Sequence, residues 1–142
     1  MFETVMEDHL QDIVAGRAAH TLTLTYSDVH GLWGGVAVTL TTHGAYERLE
    51  YLRGASAPDV VRGMLAPARI QEVVRLLLEV KAWEQRTPDR APVPDESRAT
   101  LMLRAGETAS STWEWYNDLT QNARLIRVRD LLVALAADLA ET

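Results

Sequence analysis

The chain has 142 residues, 47% apolar and 24% charged, which suits one soluble domain built around a single core. It contains no cysteine, so disulfide and thiolate chemistry are excluded. Its formal net charge of −6 argues against a broad surface that neutralises nucleic-acid phosphates.

The first stretch, "MFETVMEDHLQDIV", places acids where a secretory signal would need basic residues. No later stretch approaches the roughly 18 apolar residues of a membrane span. The expected location is the cytoplasm, with no membrane partner. Phe2, Met6, Leu10 and Ile13 recur at helical spacing, with Glu3, Glu7, Asp8 and Asp12 between them. That pattern predicts a helix over 2–14 with one buried stripe and an acidic outer side.

"HTLTLTYS" changes to a period of two: Leu22, Leu24 and Tyr26 face one way and Thr21, Thr23 and Thr25 the other. This predicts a half-buried strand. "DVHGLWGG" is punctuated by glycine and predicts a loop. "VAVTLTT" and "AYERLEYLR" are two further strands, joined through His43 and Gly44 in a tight hairpin. Residues 54–66 show no period and are read as irregular.

Pro67 suits the first turn of a helix over about 67–84, because its missing N–H costs nothing there. Ile70, Val73, Val74, Leu77 and Val80 give that helix one broad apolar face. "TPDRAPVPDES" holds three prolines and breaks the chain. Residues 98–105 and 108–116 form a second hairpin about Gly106. A last helix over about 121–141 carries Leu125, Val128, Leu132, Leu135 and Leu139.

The expected fold is therefore α+β: a single domain over 1–142 with the order α-β-β-β-α-β-β-α. Tight turns force antiparallel pairing, so one antiparallel sheet of about five strands is expected, with the two longer helices on one side.

Catalytic signatures are absent. No second histidine stands four residues from any of the histidines at 9, 20, 30 and 43, the spacing of a metallohydrolase helix. No G-x-S-x-G elbow occurs, and "GLWGG" lacks the lysine and hydroxyl that end a phosphate loop. Asp89, Asp95 and Glu96 lie in the proline-rich segment, where nothing holds them at a fixed distance. Neither a metal nor a cofactor is expected.

"SSTWEWYND" is the densest aromatic and acidic stretch of the chain. In strand register Trp113 and Trp115 share one face, and Thr112, Glu114 and Tyr116 share the other. Alternating aromatics of this kind predict that the tryptophans pack beneath a helix. The opposite face would then be left open, showing Glu114 and Tyr116 beside the threonines of the first strand. Aromatics among carboxylates are a reasonable anchor for a protein partner.

The order of elements, with "TLMLRAGETASSTWEWYND" as strand, glycine turn and strand closing on an aromatic followed by acids, resembles the YezG-like immunity-protein family of bacteria. The resemblance implies a protein that neutralises a partner toxin by binding it. Tyr116, Asn117 and Asp118 match the family's aromatic–acid ending; "PDESRAT" stands where that family tends to have a tryptophan. "GLWGGVAVTL" is also similar to the early strand of the emfourin protease inhibitors.

The expected function is thus a non-enzymatic protein-binding module, of immunity or antitoxin type, that blocks its partner through an open sheet face. Glu114, Tyr116, Asn117, Asp118 and Trp33 are its expected contact residues. Two alternatives stand beside it. One is a small hydrolase or ligand-binding domain around His30, Trp33, Asp95 and Glu96. The other is a homo-oligomeric structural protein that uses the stripe of the last helix as a dimer seam, or a protease-inhibitor-like module.

Overall fold

The computed structural model describes residues 5–31, 33–86, 90–91, 93–94 and 96–139. Phe2, Asp89 and Asp95 lie outside them. The order is α1 (Met6–Val14), β1 (Leu22–Ser27), β2 (Gly34–Thr41), β3 (Ala45–Leu52), β4 (Asp59–Met64), α2 (Pro67–Val80), β5 (Arg98–Ala105), β6 (Thr108–Trp115) and α3 (Ala123–Ala134). Short 3-10 turns over Tyr116–Gln121 and Leu135–Asp138 flank α3. The class is α+β, with one antiparallel sheet of six strands in the order β4-β3-β2-β1-β5-β6.

The sixth strand is β4, within the segment expected to be irregular. It forms one edge of the sheet and shows little alternation, because Val60, Arg62 and Met64 are all half-buried or exposed. Gly63 adds no side chain to the pattern. It is small for a packing reason: a Cβ there would stand 3.1 Å from Leu139.

Period-two alternation decides which residues enter the core. Leu22, Leu24 and Tyr26, Val36, Val38 and Leu40, and Ala99, Leu101, Leu103 and Ala105 all point to one face and are at most 5% exposed. The helices form a layer over that face. α1 contributes Met6, Leu10 and Ile13, α2 contributes Ile70, Val73, Val74 and Leu77, and α3 contributes Leu125, Val128 and Leu132. A nine-residue helix such as α1 is marginal alone. Burying its three apolar side chains supplies on the order of 5–8 kcal/mol, enough to hold it on the sheet.

Polar bonds lock this layer to the sheet. The Tyr46 hydroxyl donates to the Leu132 carbonyl at 2.7 Å, tying β3 to α3. Arg124, in the first turn of α3, donates from Nε to the Val80 carbonyl at 2.7 Å and from Nη2 to the Glu84 carbonyl at 3.1 Å. It thereby satisfies the Val80 carbonyl, which the C-terminus of α2 leaves without an intrahelical partner, and holds the turn that follows at Glu84. Asn122 caps α3 by accepting from the Leu125 amide at 3.0 Å.

The start of β2 needs its two glycines. Gly34 (φ +83°) closes a bridge with His30, and a Cβ on it would sit 2.0 Å from the Tyr51 carbonyl oxygen. Gly35 (φ +141°) leaves room for Asp28, whose Oδ1 would lie 2.7 Å from an added Cβ. Asp28 is 2% exposed and accepts from the Tyr26 hydroxyl, the Val36 amide and Arg129 Nε at 2.7, 2.8 and 2.6 Å. Burial, reinforced by the Asp28 charge, raises the Tyr26 phenol well above its ordinary value.

Candidate protein-binding surface

The hairpin of β5 and β6 reverses the expected assignment of faces. Leu101 pairs with Thr112 and Ala99 with Glu114, so Thr112 and Glu114 lie on the helix side. Trp113 and Trp115 instead pair with Thr100 and Arg98 and lie on the face away from the helices. The expectation that the tryptophans pack beneath a helix is therefore corrected. The reason is register: β5 has to turn its leucines inward, and a two-residue turn through Gly106 then leaves β6 no freedom.

Glu114 is correspondingly 3% exposed and not on an open face. It accepts from the Trp115 amide at 2.8 Å and from Asn122 Nδ2 at 3.0 Å, so it ties the end of β6 to the cap of α3. Tyr116, Asn117 and Asp118 leave the strand in a 3-10 turn. Tyr116 packs its ring 4.9 Å from that of His30. Asp118 and Glu96 both grip Arg90, at 2.7 Å each. The hydrogen bond from Arg90 holds the Glu96 carboxyl below the usual glutamate range. Trp33 is 54% exposed, with the Arg53 guanidinium 4.5 Å from its ring centre.

The residues of the hydrolase alternative are occupied in other ways. His30 is 8% exposed and packed, Glu96 is paired with Arg90, Trp33 faces out, and Asp95 lies outside the described residues. His20, His43, Thr21 and Thr42 line a broad hollow at the opposite end of the sheet, with His43 Nε2 2.6 Å from the Thr21 hydroxyl. Among the described residues no cluster of three or more metal-ligating side chains occurs, and no helix is long and apolar enough to cross a membrane.

What remains is the far face of the sheet. Thr23, Thr25, Thr39, Met102, Arg104 and Ser111 stand exposed across its four inner and outer strands β2, β1, β5 and β6. Met102 is 50% exposed, and towards the β4 edge Val60 and Met64 are 47% and 44% exposed. At the β6 side Arg98 lies over Trp113 at 4.0 Å and over Trp115 at 4.9 Å, and the two indoles meet edge to face at 4.9 Å. Arg90 reaches Trp115 from the adjoining segment at 5.5 Å. Such stacking fixes the guanidinium of Arg98 and limits the entropy it would lose on meeting a partner.

The outer edge of β6 is closed at one point. Gln85 donates from Nε2 to the Trp113 carbonyl at 3.1 Å and accepts from the Trp113 amide at 2.7 Å, standing in for a neighbouring strand. This blocks simple strand addition beside Trp113 and leaves the face, not that edge, as the exposed surface.

The far-face residues Arg98, Met102 and Arg104 were not among the expected contacts. Their signal was the alternation of "RATLMLRA", in which Ala99, Leu101, Leu103 and Ala105 face the core. The chain matches no family model, and no curated protein or solved structure shows significant similarity to it.

Proposed function

We propose that this protein is a non-enzymatic binding module that engages another protein through the far face of its sheet. The observation that carries this reading is a sheet covered by helices on one side only, with Met102 half exposed on the other between Arg98 and Arg104. Interfaces draw on arginine, tryptophan and methionine anchors, which are the residue types gathered on β5 and β6. Blocking of a toxin, in the manner of an immunity protein, is one form that this activity takes in the proposal. Its contact residues are then Trp113, Arg98, Met102 and Arg104, with Trp33 at the rim, in place of the buried Glu114.

The test is photo-crosslinking in cells of the source organism, with benzoylphenylalanine at Met102 and, as a control, at Arg75 on the exposed side of α2. The expected result is one stoichiometric protein adduct from position 102 that position 75 does not give. No adduct, or the same adducts from both positions, overturns the reading.

A further inference from the structure

Resting on the reading above, we infer that the partner presents an acidic protein surface, with carboxylates flanking an apolar centre. Among the described strand residues the far face carries Arg62, Arg98 and Arg104 against one acid, Glu47, on a chain whose net charge is −6. Arg62 is bound to Glu47. Arg98 and Arg104 have no carboxylate partner among the described residues, and both are exposed. The charge of this face thus opposes that of the molecule as a whole. The two arginines stand six residues apart on β5, roughly 20 Å, with Met102 between them.

Two other occupants fit less well. A second copy of the chain would bring this same positive face against itself, and like charges across an interface are costly. Single-stranded nucleic acid needs free aromatic faces for stacking and a run of phosphate contacts. Here Arg98 already covers Trp113 and Trp115 is 8% exposed, while the rest of the chain is strongly acidic. An acidic protein patch satisfies both arginines and covers Met102.

The experiment titrates the full chain, uniformly labelled with nitrogen-15, with poly-L-glutamate, poly-L-lysine and poly(U) at about 50 mM salt, where screening is weak. Poly-L-glutamate is expected to shift the amides of Thr25, Met102 and Ser111 and the Trp113 indole. Arg104→Glu, which breaks no ion pair among the described residues, is expected to weaken that binding at least five-fold while the core amides stay in place. Unmoved far-face signals, or tighter binding of poly(U) on the same face, overturn the inference. Arg104→Glu is then applied to the protein captured at position 102. A captured partner whose binding is unchanged or strengthened defeats the acidic-partner inference and leaves the binding reading standing. An absence of any captured partner defeats the reading itself.

Discussion

Replacing Asp28 by alanine removes the acceptor on which three groups converge. The Asp28 side chain is 3% exposed and that of Arg129 is 29% exposed, so the pair is largely withdrawn from water. Breaking a buried pair from one side costs about 3–5 kcal/mol, and the partial exposure of Arg129 places the charge part at the lower end. The Tyr26 hydroxyl and the Val36 amide then lose their acceptor as well, each at about 1 kcal/mol or more. A total near 5 kcal/mol follows, a large share of the roughly 5–15 kcal/mol available to a domain. Asp28→Asn keeps an acceptor for Val36 and a partner for Tyr26 but loses the charge, and should cost about half as much. Urea unfolding followed by circular dichroism measures both, and at about 3 °C per kcal/mol the melting temperature of Asp28→Ala should fall by roughly 15 °C. A double-mutant cycle with Arg129→Met isolates the charge pair and should show coupling of about 1–2 kcal/mol. Destabilisation below about 1 kcal/mol for Asp28→Ala, or no coupling to Arg129, would refute the argument that this carboxylate organises the β1–β2 end of the sheet.

The remaining predictions concern alkaline stability and the sheet edge. Burial pushes Tyr46 up to about 12 and Tyr26 higher still, so both stay neutral in the fold at pH values where the unfolded chain ionises them near 10. Their contribution is complete below pH 10 and falls as pH rises, by about 1.4 kcal/mol per unit for Tyr46 alone between pH 10 and 12. Urea midpoints that stay flat from pH 9 to about 11.5 would contradict this. Gln85→Ala should cost no more than about 1 kcal/mol, because its bonds are exposed, yet it should speed hydrogen exchange at the Trp113 amide at least about ten-fold. Unchanged exchange there would show that the side-chain amide does not stand in for a strand.

The helices and five of the six strands could be read directly, because each has an apolar period that matches its geometry. Leu22, Leu24 and Tyr26 alternate cleanly, as do Val36, Val38 and Leu40, and the structure buries all six. β4 escaped because an edge strand with both faces partly wet leaves no such pattern, and Gly63 removes one of its few inward side chains. α3 is shorter than its leucine stripe suggests. It ends at Ala134, and Leu135 opens a 3-10 turn over Leu135–Asp138, so the last part of the apparent period belongs to a turn that packs onto the same core. Asp28 carried no signal at all, since its partners Val36 and Arg129 are distant in the chain.

The error over the tryptophans shows where the decisive information lay. Treated alone, β6 offers Trp113 and Trp115 as the apolar side, and burial of two indoles outweighs burial of Thr112 and Glu114. Treated as one half of a hairpin, β6 has no choice. β5 offers Leu101 and Leu103 inward, and a turn of two residues sets Trp115 opposite Arg98. Turning the tryptophans to the core with this register kept would flip the whole hairpin and expose those leucines, and slipping β6 by one residue would break the two-residue turn. The fold resolves the conflict by giving the outward indoles a second source of cover: each other, Arg98 and Arg90. Glu114, forced inward, is offset by the Trp115 amide and Asn122. The consequence for function is a change of sign. The acids of "WEWYND" are spent on internal bonds, and the large side chains that the strands of this hairpin turn to the far face are Arg98, Met102, Arg104 and the edge of Trp113, with Glu107 exposed in the turn. A partner selected by such a face must be complementary to arginine, and substitutions at Glu114 should alter stability before they alter any interaction.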